Sequence, residues 1–268
     1  MNRETEKQGE YDSHTRSTEA AEACRLVIDG QIPMKFTMMK IGSLDQPVPF
    51  YCSARRILPL TQVLEDVKDH FDALVVSLDS EQPIWFSYGA SVLTFEWTVG
   101  ALYDMYAIDS PPPIPWSVEV HFGEYPTHSI GKPPTKIETM DMLSSQAIDS
   151  LSLTPSPPES SSVRSLLALA LRGEFWRFAE EYDRLLPTEG KAVFRVVSTS
   201  ESRRPIDPFP VARRRVVPLD DTSIGAALEL PHGARVVCQG VRLEHYMTVV
   251  DVFKAFSAPT FTVTILVR

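Results

Sequence analysis

Cysteine is scarce in this chain of 268 residues: three stand at Cys24, Cys52 and Cys238. They are far apart and form no Cys-x-x-Cys pair, which excludes a disulfide framework and the common zinc spacings. So sparse a set fits a reducing compartment, each thiol acting as a small buried apolar group. The six histidines (His14, His70, His121, His128, His232, His245) form no ligand cluster, so no metal is expected. Twelve glycines are scattered, none in a phosphate-cradling loop, and no cofactor is implied. No apolar run approaches the roughly 18 residues of a membrane span. The opening MNRETEKQGEYDSHTRSTEAAEA is polar and of mixed charge, without the apolar stretch of a secretory signal. The expectation is a cytoplasmic protein with a disordered start over 1–17.

What is present is a globular composition with uneven charge. Hydrophobic residues make up 43%, enough for a sizeable core. Net charge is −9, but residues 191–268 carry 11 Lys/Arg against 7 Asp/Glu, leaving −13 for the remainder. Such asymmetry points to different partner surfaces on the two ends.

Patterning gives the elements in order. An alanine-rich helix is predicted over 18–29, with Ser17 or Thr18 as cap and Gly30 as stop. Alternation predicts strands over 33–41 and 50–58, with Met34, Phe36 and Met38 on one face. Leu60, Val63, Leu64, Val67, Phe71 and Leu74 fall on one helical face, with Thr61 as cap. Two β-rich runs, 84–89 and 91–97, a short helix at 99–107 and an alternating strand WSVEVHF at 116–122 complete the first unit. The order recurs near the end: strands at 191–199 and 211–219, a helix at 223–230 capped by Ser223, strands within 234–243, a helix at 247–256 and a strand at 260–268. Between them lies a helical stretch: a helix at 136–153, a Pro/Ser linker at 154–162, and a helix or helix pair at 163–186 broken near Gly173. Leu166, Leu169, Ala170, Phe175, Trp176, Phe178 and Leu185 keep its period. The expected fold is α+β: two ubiquitin-like β-grasp domains at 31–123 and 190–268, separated by a helix-rich domain at 124–189, with the N-terminal helix to residue 30 in front.

Residues able to do chemistry are missing in combination. GASV (89–92) lacks the rest of a nucleophile elbow and reads as a hairpin turn. Glu65/Asp66 and Glu180/Glu181 read as solvated helix faces. Cys238, in the apolar run VVC, reads as buried rather than as a thioester nucleophile. No catalytic residue is assigned. The notable charge cluster is Arg213, Arg214 and Arg215, with Arg203 and Arg204 upstream. On a strand, Arg213 and Arg215 share a face, where they can meet an anionic surface such as a phospholipid headgroup or an acidic protein. A sequence pI of about 5.2, without aromatic residues interleaved among the arginines, excludes nucleic acid as the expected partner.

Several segments resemble the autophagy protein 5 family. IDGQIPMKF (28–36) resembles its hydrophobic-Gly-x-Ile-Pro entry to the first strand, and LPLTQVLEDVKDHF (58–71) its first helix. IWFSYGASVLTFEWTVGALYDM (84–105) and IPWSVEVHFGEYP (114–126) are similar to its Trp-Phe-x-Tyr and Pro-Trp-x-x-x-Val-His-Phe runs, although Thr98 replaces the usual proline. LLALALRGEFWRFAEEYDRLL (166–186) and VCQGVRLEHYMTVVDVFKAFSAPTFTVTILV (237–267) resemble the middle helices and the C-terminal block. The resemblance implies a non-catalytic scaffold. It would carry autophagy protein 12 through an isopeptide bond and bind autophagy protein 16 through the N-terminal helix and both ubiquitin-like domains, with Leu26, Val27 and Ile28 of the helix as the candidate contacts. It would act as the E3-like factor that brings the E2-like enzyme and autophagy protein 8 to the phagophore membrane. The family acceptor is a lysine in the first helix of the helical region. Aligned on the downstream Asp-x-Leu, that position is Gln146; aligned without gaps from Pro134, it is Ile148. The candidate acceptors nearby are Lys136 and Lys132; the alternatives are association without a covalent bond and, from a different class, a hydrolase with a cryptic active site, against which the lack of a nucleophile–base pair in the sequence argues.

Overall fold

The computed structural model of the chain describes residues 22–38, 47–74, 83–108, 110–123, 126, 133–199 and 212–268. The segment 1–17, the predicted start of the first helix, Met39, Lys132, Arg203 and Arg204 lie outside the described residues. Helix α1 occupies residues 22–29. It is followed by strands β1 (Gln31–Met38) and β2 (Phe50–Arg55), a 3-10 turn (Leu60–Gln62), helix α2 (Leu64–Leu74), strands β3 (Ile84–Tyr88) and β4 (Ser91–Leu93), helix α3 (Val99–Ala107) and strand β5 (Trp116–Phe122).

These strands form one mixed sheet in the order β2-β1-β5-β3-β4. The first and last strands run parallel at its centre, Met34 opposite Trp116 and Met38 opposite Val120. The period-2 pattern explains the packing: Ile32, Met34, Phe36 and Met38 are all buried on one face. Phe36 meets Phe86 of β3 with ring centroids 5.2 Å apart, a tilted aromatic pair. Val67 and Phe71 of α2 close the core from above. Gly89, at φ +57°, makes the hairpin between β3 and β4 that GASV predicts.

The helical middle consists of α4 (Lys136–Leu151), α5 (Ser160–Leu171) and α6 (Phe175–Leu185). Thr135 and Glu138 form a capping box that fixes the start of α4. Gly173, at φ +80°, supplies the left-handed residue on which α5 gives way to α6. A second sheet has the order β7-β6-β10-β8-β9, from β6 (Lys191–Ser198), β7 (Arg213–Pro218), β8 (Val236–Cys238), β9 (Val241–Leu243) and β10 (Thr262–Val267). Here too the outer elements in sequence, β6 and β10, pair in parallel at the centre. Helices α7 (Ile224–Ala227) and α8 (Val249–Phe256) are capped by Ser223 and Thr248, whose hydroxyls accept from backbone amides. The molecule is thus a mixed α/β structure with two β-grasp sheets.

Several local expectations are corrected. Thr61 caps nothing: Pro59 precedes the 3-10 turn, and the Thr61 hydroxyl is buried without a partner. Trp176 sits on the outer side of α6, 68% exposed, because α6 buries only Phe178 and Tyr182 fully. The Pro/Ser stretch is shorter and better anchored than predicted. Thr154 donates to the Leu151 carbonyl, Gly190 packs against Thr154, and α5 already begins at Ser160. The last helix starts later than the predicted 247: Thr248 is its cap, Met247 precedes it, and its inner face is Val249, Val252, Phe253 and Phe256.

The parts interlock. Cys24, Val27 and Ile28 of α1 join the same core as α4–α6 and the helix side of the second sheet. Val197 of β6 and Leu266 of β10 point the other way and join the core of the first sheet. The junction between the two sheets holds a buried ion pair. Arg56, just after β2, donates to Asp104 of α3. The second oxygen of Asp104 accepts the Gly240 amide at 2.7 Å, from the β8–β9 turn. Gly100 brings α3 close enough for this: a Cβ there would lie 2.3 Å from Gln239 Oε1 and 3.0 Å from the Arg56 carbonyl oxygen. Nearby, Arg235 donates to the Ile108 carbonyl at 2.5 Å. Burial pushes the Asp104 carboxyl up, and Arg56 and the Gly240 amide pull it back down. Removing one member of a buried pair strands the other, at a cost of about 3–5 kcal/mol. Asp104→Ala is therefore expected to lower the stability of the full chain by that order in urea unfolding, with Asp104→Asn losing less. A loss below about 1 kcal/mol for Asp104→Ala would show that the contact is peripheral.

Candidate functional site

The resemblance places the attachment point on α4, whose start is set by the Thr135–Glu138 box. Lys136, the first residue of the helix, is 75% exposed and ion-paired with Glu65 of α2. The Glu65 carboxylate raises the pKa of the Lys136 ammonium by hydrogen bonding and by charge, with Asp66 and Asp69 adding to it. The amine is accessible, but it is held protonated and aimed at α2. Gln146 lies ten residues further, about 15 Å along the helix axis. It is half-buried and lines a small cleft where α4 meets Glu96, Trp97 and Thr98 of the first unit and Arg195 and Thr264 of the second. Ile148 is half-buried against the core. Lys132 lies outside the described residues.

Of the three contact candidates on α1, one faces outward. Leu26 is 69% exposed, whereas Val27 and Ile28 are core residues at 8% and 1%. The physical reason is helical geometry: Cys24, Val27 and Ile28 form the i, i+3, i+4 stripe turned to the protein, and Leu26 falls outside it. Arg55 fixes the helix in place. Its guanidinium donates to the Asp29 carbonyl at 2.9 Å and to the Asp29 carboxylate at 3.2 Å, capping the C-terminal end of α1. The same guanidinium lies 3.9 Å over the Phe175 ring and so ties α1 to α6. Leu26 on α1 and Trp176 on α6 are the large apolar side chains these two helices leave exposed among the described residues. The exposure of Trp176 was hidden in the sequence because its spacing suits an inward stripe.

Strand β7 is an edge strand, and Arg213, Arg214 and Arg215 are all exposed on it. Two of them have partners. Arg214 pairs with Asp149 of α4 at 2.7 Å and Arg215 with Glu229 at 3.3 Å. Arg213 makes no ion pair among the described residues. Its charge is the one in the cluster most open to a new partner.

One constellation was not foreseen. On the open face of the first sheet, Ser87 Oγ lies 2.8 Å from His121 Nε2 and 3.3 Å from Glu119 Oε2, with Trp85 stacked on the imidazole at 3.9 Å. Cross-strand pairing of β3 with β5 brings them together, a juxtaposition that sequence spacing does not carry. The set is not arranged as a triad. Glu119 approaches the same ring nitrogen as the serine, at 4.0 Å, instead of orienting the other nitrogen, and Ser87 is 5% exposed. The thiols are no better placed: burial pushes Cys24 up to about 12 and Cys52 up to about 11, and it raises Cys238 too, so none is an activated nucleophile. No group of three or more metal-ligating side chains occurs among the described residues.

Comparison with known proteins agrees with this architecture. Residues 27–122 match the family described as autophagy protein ATG5, UblA domain. Autophagy protein 5 of Emericella nidulans is 33% identical over 116 residues, covering 37% of this chain and 35% of that protein. Autophagy protein 5 of Neosartorya fischeri is 27% identical over 127 residues, covering 40% and 39% respectively. These matches span little more than a third of the curated relatives' own length. The crystal structure of Kluyveromyces marxianus Atg5 superposes with a TM-score of 0.72 at 14% identity, covering 92% of this chain and 99% of that one, which is a likeness of fold. Residues 27–122 thus match the autophagy protein ATG5 UblA domain, and the two-sheet architecture as a whole has the fold of the Kluyveromyces marxianus protein.

Proposed function

We propose that this chain is the non-catalytic scaffold of an E3-like complex in autophagy. It carries autophagy protein 12 and binds autophagy protein 16. It thereby promotes lipidation of autophagy protein 8 by the E2-like enzyme at the phagophore, as a cytoplasmic protein peripheral to that membrane. The observation that carries this reading is the junction: two β-grasp sheets are locked to one another through Asp104, while α4, α1 and β7 remain available as separate surfaces. A rigid body with several docking faces suits positioning better than chemistry. In this reading the chain divides into an N-terminal helix, a first ubiquitin-like domain to residue 123, a helix-rich domain to residue 189 and a second ubiquitin-like domain. No helix among the described residues is long and apolar enough to cross a membrane.

The attachment point has two readings. In the first, autophagy protein 12 is joined to Lys136 or Lys132. The second, without a covalent bond, is favoured by two observations: a glutamine, not an amine, stands mid-helix at the cleft, and Lys136 is engaged by Glu65. Reconstitution with the E1-like and E2-like enzymes separates them. Attachment at Lys136 predicts a conjugate band that Lys136→Arg removes and Lys132→Arg leaves. The second reading predicts a complex that survives gel filtration with no shifted band in the wild type.

Docking of an amphipathic helix of autophagy protein 16 on α1 rests on Leu26. Leu26→Asp should abolish co-purification while changing stability by no more than about 0.5 kcal/mol, the usual range for a surface substitution. Substituting Val27 or Ile28 would instead report on the core. Undiminished binding by Leu26→Asp would remove α1 from the interface.

The arginine edge is read as a contact to anionic lipid or an acidic partner. Vesicles containing anionic lipid should carry the wild type in flotation at low salt and release it as salt rises past about 0.1 M, where the screening length is ~10 Å. The Arg213→Glu/Arg215→Glu double variant should float less at low salt. Equal flotation would leave β7 as an edge protected by charge and nothing more.

A further inference from the structure

We infer that Ser156, in the segment joining α4 to α5, is a phosphorylation site for a proline-directed kinase, and that Arg184 at the end of α6 receives its phosphate. Ser156 is followed by Pro157 and Pro158. A proline after the acceptor brings no N–H that a kinase groove would have to pair, and it biases the serine toward extended backbone. The sequence has three such dipeptides, at Ser110, Thr154 and Ser156. The structure separates them. Two residues past Ser110, Pro112 is buried and its carbonyl accepts from the Tyr103 hydroxyl, so that segment is fastened to the first unit. Thr154 is half-buried, and its hydroxyl donates to the Leu151 carbonyl at 2.7 Å. Ser156 is exposed, as are Pro155 and Pro157 on either side, and residues 154–159 belong to no helix or strand. A kinase can therefore engage this stretch without unfolding α4 or α5.

The step is a phosphoryl transfer from ATP. A bond forms between Ser156 Oγ and the γ-phosphorus as the bond from that phosphorus to the β,γ-bridging oxygen breaks; the hydroxyl proton passes to the kinase's base and ADP leaves. The product carries nearly two negative charges and three acceptor oxygens, beside a cleft of about 220 Å³. Thr154, Pro155 and Ser156 line that cleft from one segment, and Arg184, Leu185 and Thr188 from another. Arg184 is exposed and pairs with Glu181, three residues back on α6, at 2.6 Å. Such an exposed pair is weak, and a phosphate dianion that accepts the guanidinium fork through two oxygens displaces a single carboxylate. Lys191 adds a second cation nearby, since it follows Gly190, which packs against Thr154 and Pro155. Glu189 also lines the cleft and Glu181 stands beside Arg184, so net charge does not draw the phosphate in; the directed fork of Arg184 does. Once paired, the phosphate ties the α4–α5 segment to the α6–β6 connection, where the helical middle meets the second sheet. The site shares no residue with Lys136, Leu26 or β7 and does not depend on the roles proposed for them.

The full chain is incubated with ATP and, separately, a kinase of the mitogen-activated class and one of the cyclin-dependent class, and the product is mapped by tandem mass spectrometry. At least one kinase should place phosphate on Ser156. Ser156→Ala should lower total incorporation about tenfold, whereas Ser110→Ala and Thr154→Val should leave most of it. Phosphorus NMR of the phosphorylated chain then follows the second ionisation of the phosphate, which falls at about pH 6 in an unpaired phosphoserine. A neighbouring guanidinium favours the dianion, so the midpoint should lie below that of a peptide of residues 153–159 phosphorylated at its serine. Arg184→Gln should return the midpoint to the peptide's value, and Arg184→Lys should recover part of the shift, with the thermal midpoint of the unphosphorylated chain unchanged in both. No phosphate on Ser156 with either kinase, or a main site at Ser110 or Thr154, would overturn the modification site. A midpoint equal to the peptide's, or one that Arg184→Gln leaves in place, would overturn the assignment of Arg184.

Discussion

The Asp104 carboxylate receives one hydrogen bond from each half of the protein, and the relation between the halves depends on it. Arg56 approaches from the end of the first hairpin and the Gly240 amide from a turn in the second sheet. A buried carboxylate demands full satisfaction, because in a low-dielectric surrounding each unused lone pair is costly. Neither donor alone meets that demand. The demand also explains why Gly100 and Gly240 lack side chains: a Cβ on Gly240 would lie 2.9 Å from an Arg56 nitrogen, and one on Gly100 would collide with Gln239. Specificity in the docking of two similar sheets comes from this small polar contact, while Val197 and Leu266 supply the apolar area around it.

The fold was largely legible because its signals are local. Period-2 alternation in 33–38 and 116–122, hydroxyl caps at Ser223 and the glycine break at Gly173 each act within a few residues. What could not be read is nonlocal. Trp176 matches an inward stripe by spacing, but the neighbours that would cover it are absent from its side of α6. Thr61 has the chemistry of a cap, yet Pro59 and the 3-10 turn take that place. Leu266 alternates correctly away from the α8 side of its sheet, but that other side faces a second core instead of solvent.

The candidate sites show the same division. Residue type alone singled out the arginines of β7 and the lysine at the start of α4. Only packing reveals that Arg214, Arg215 and Lys136 are already engaged by acidic neighbours, and that two of three apolar residues on α1 are spent on the protein's own core. Conversely, the Ser87–His121–Glu119 cluster is invisible in the sequence because strand pairing assembles it. Its geometry, with both the serine and the carboxylate at one ring nitrogen, is that of a surface polar network and not of a catalytic relay.

Strand β10 pairs with both β6 and β8 and sends side chains to both cores. As this chain emerges from the ribosome, β6 to β9 therefore remain two unjoined hairpins until residues 262–267 are made. Through that interval the α3 surface that β10 will cover is open to solvent and to chaperones. Joining the two hairpins takes this single strand, so closure of the second sheet waits on β10.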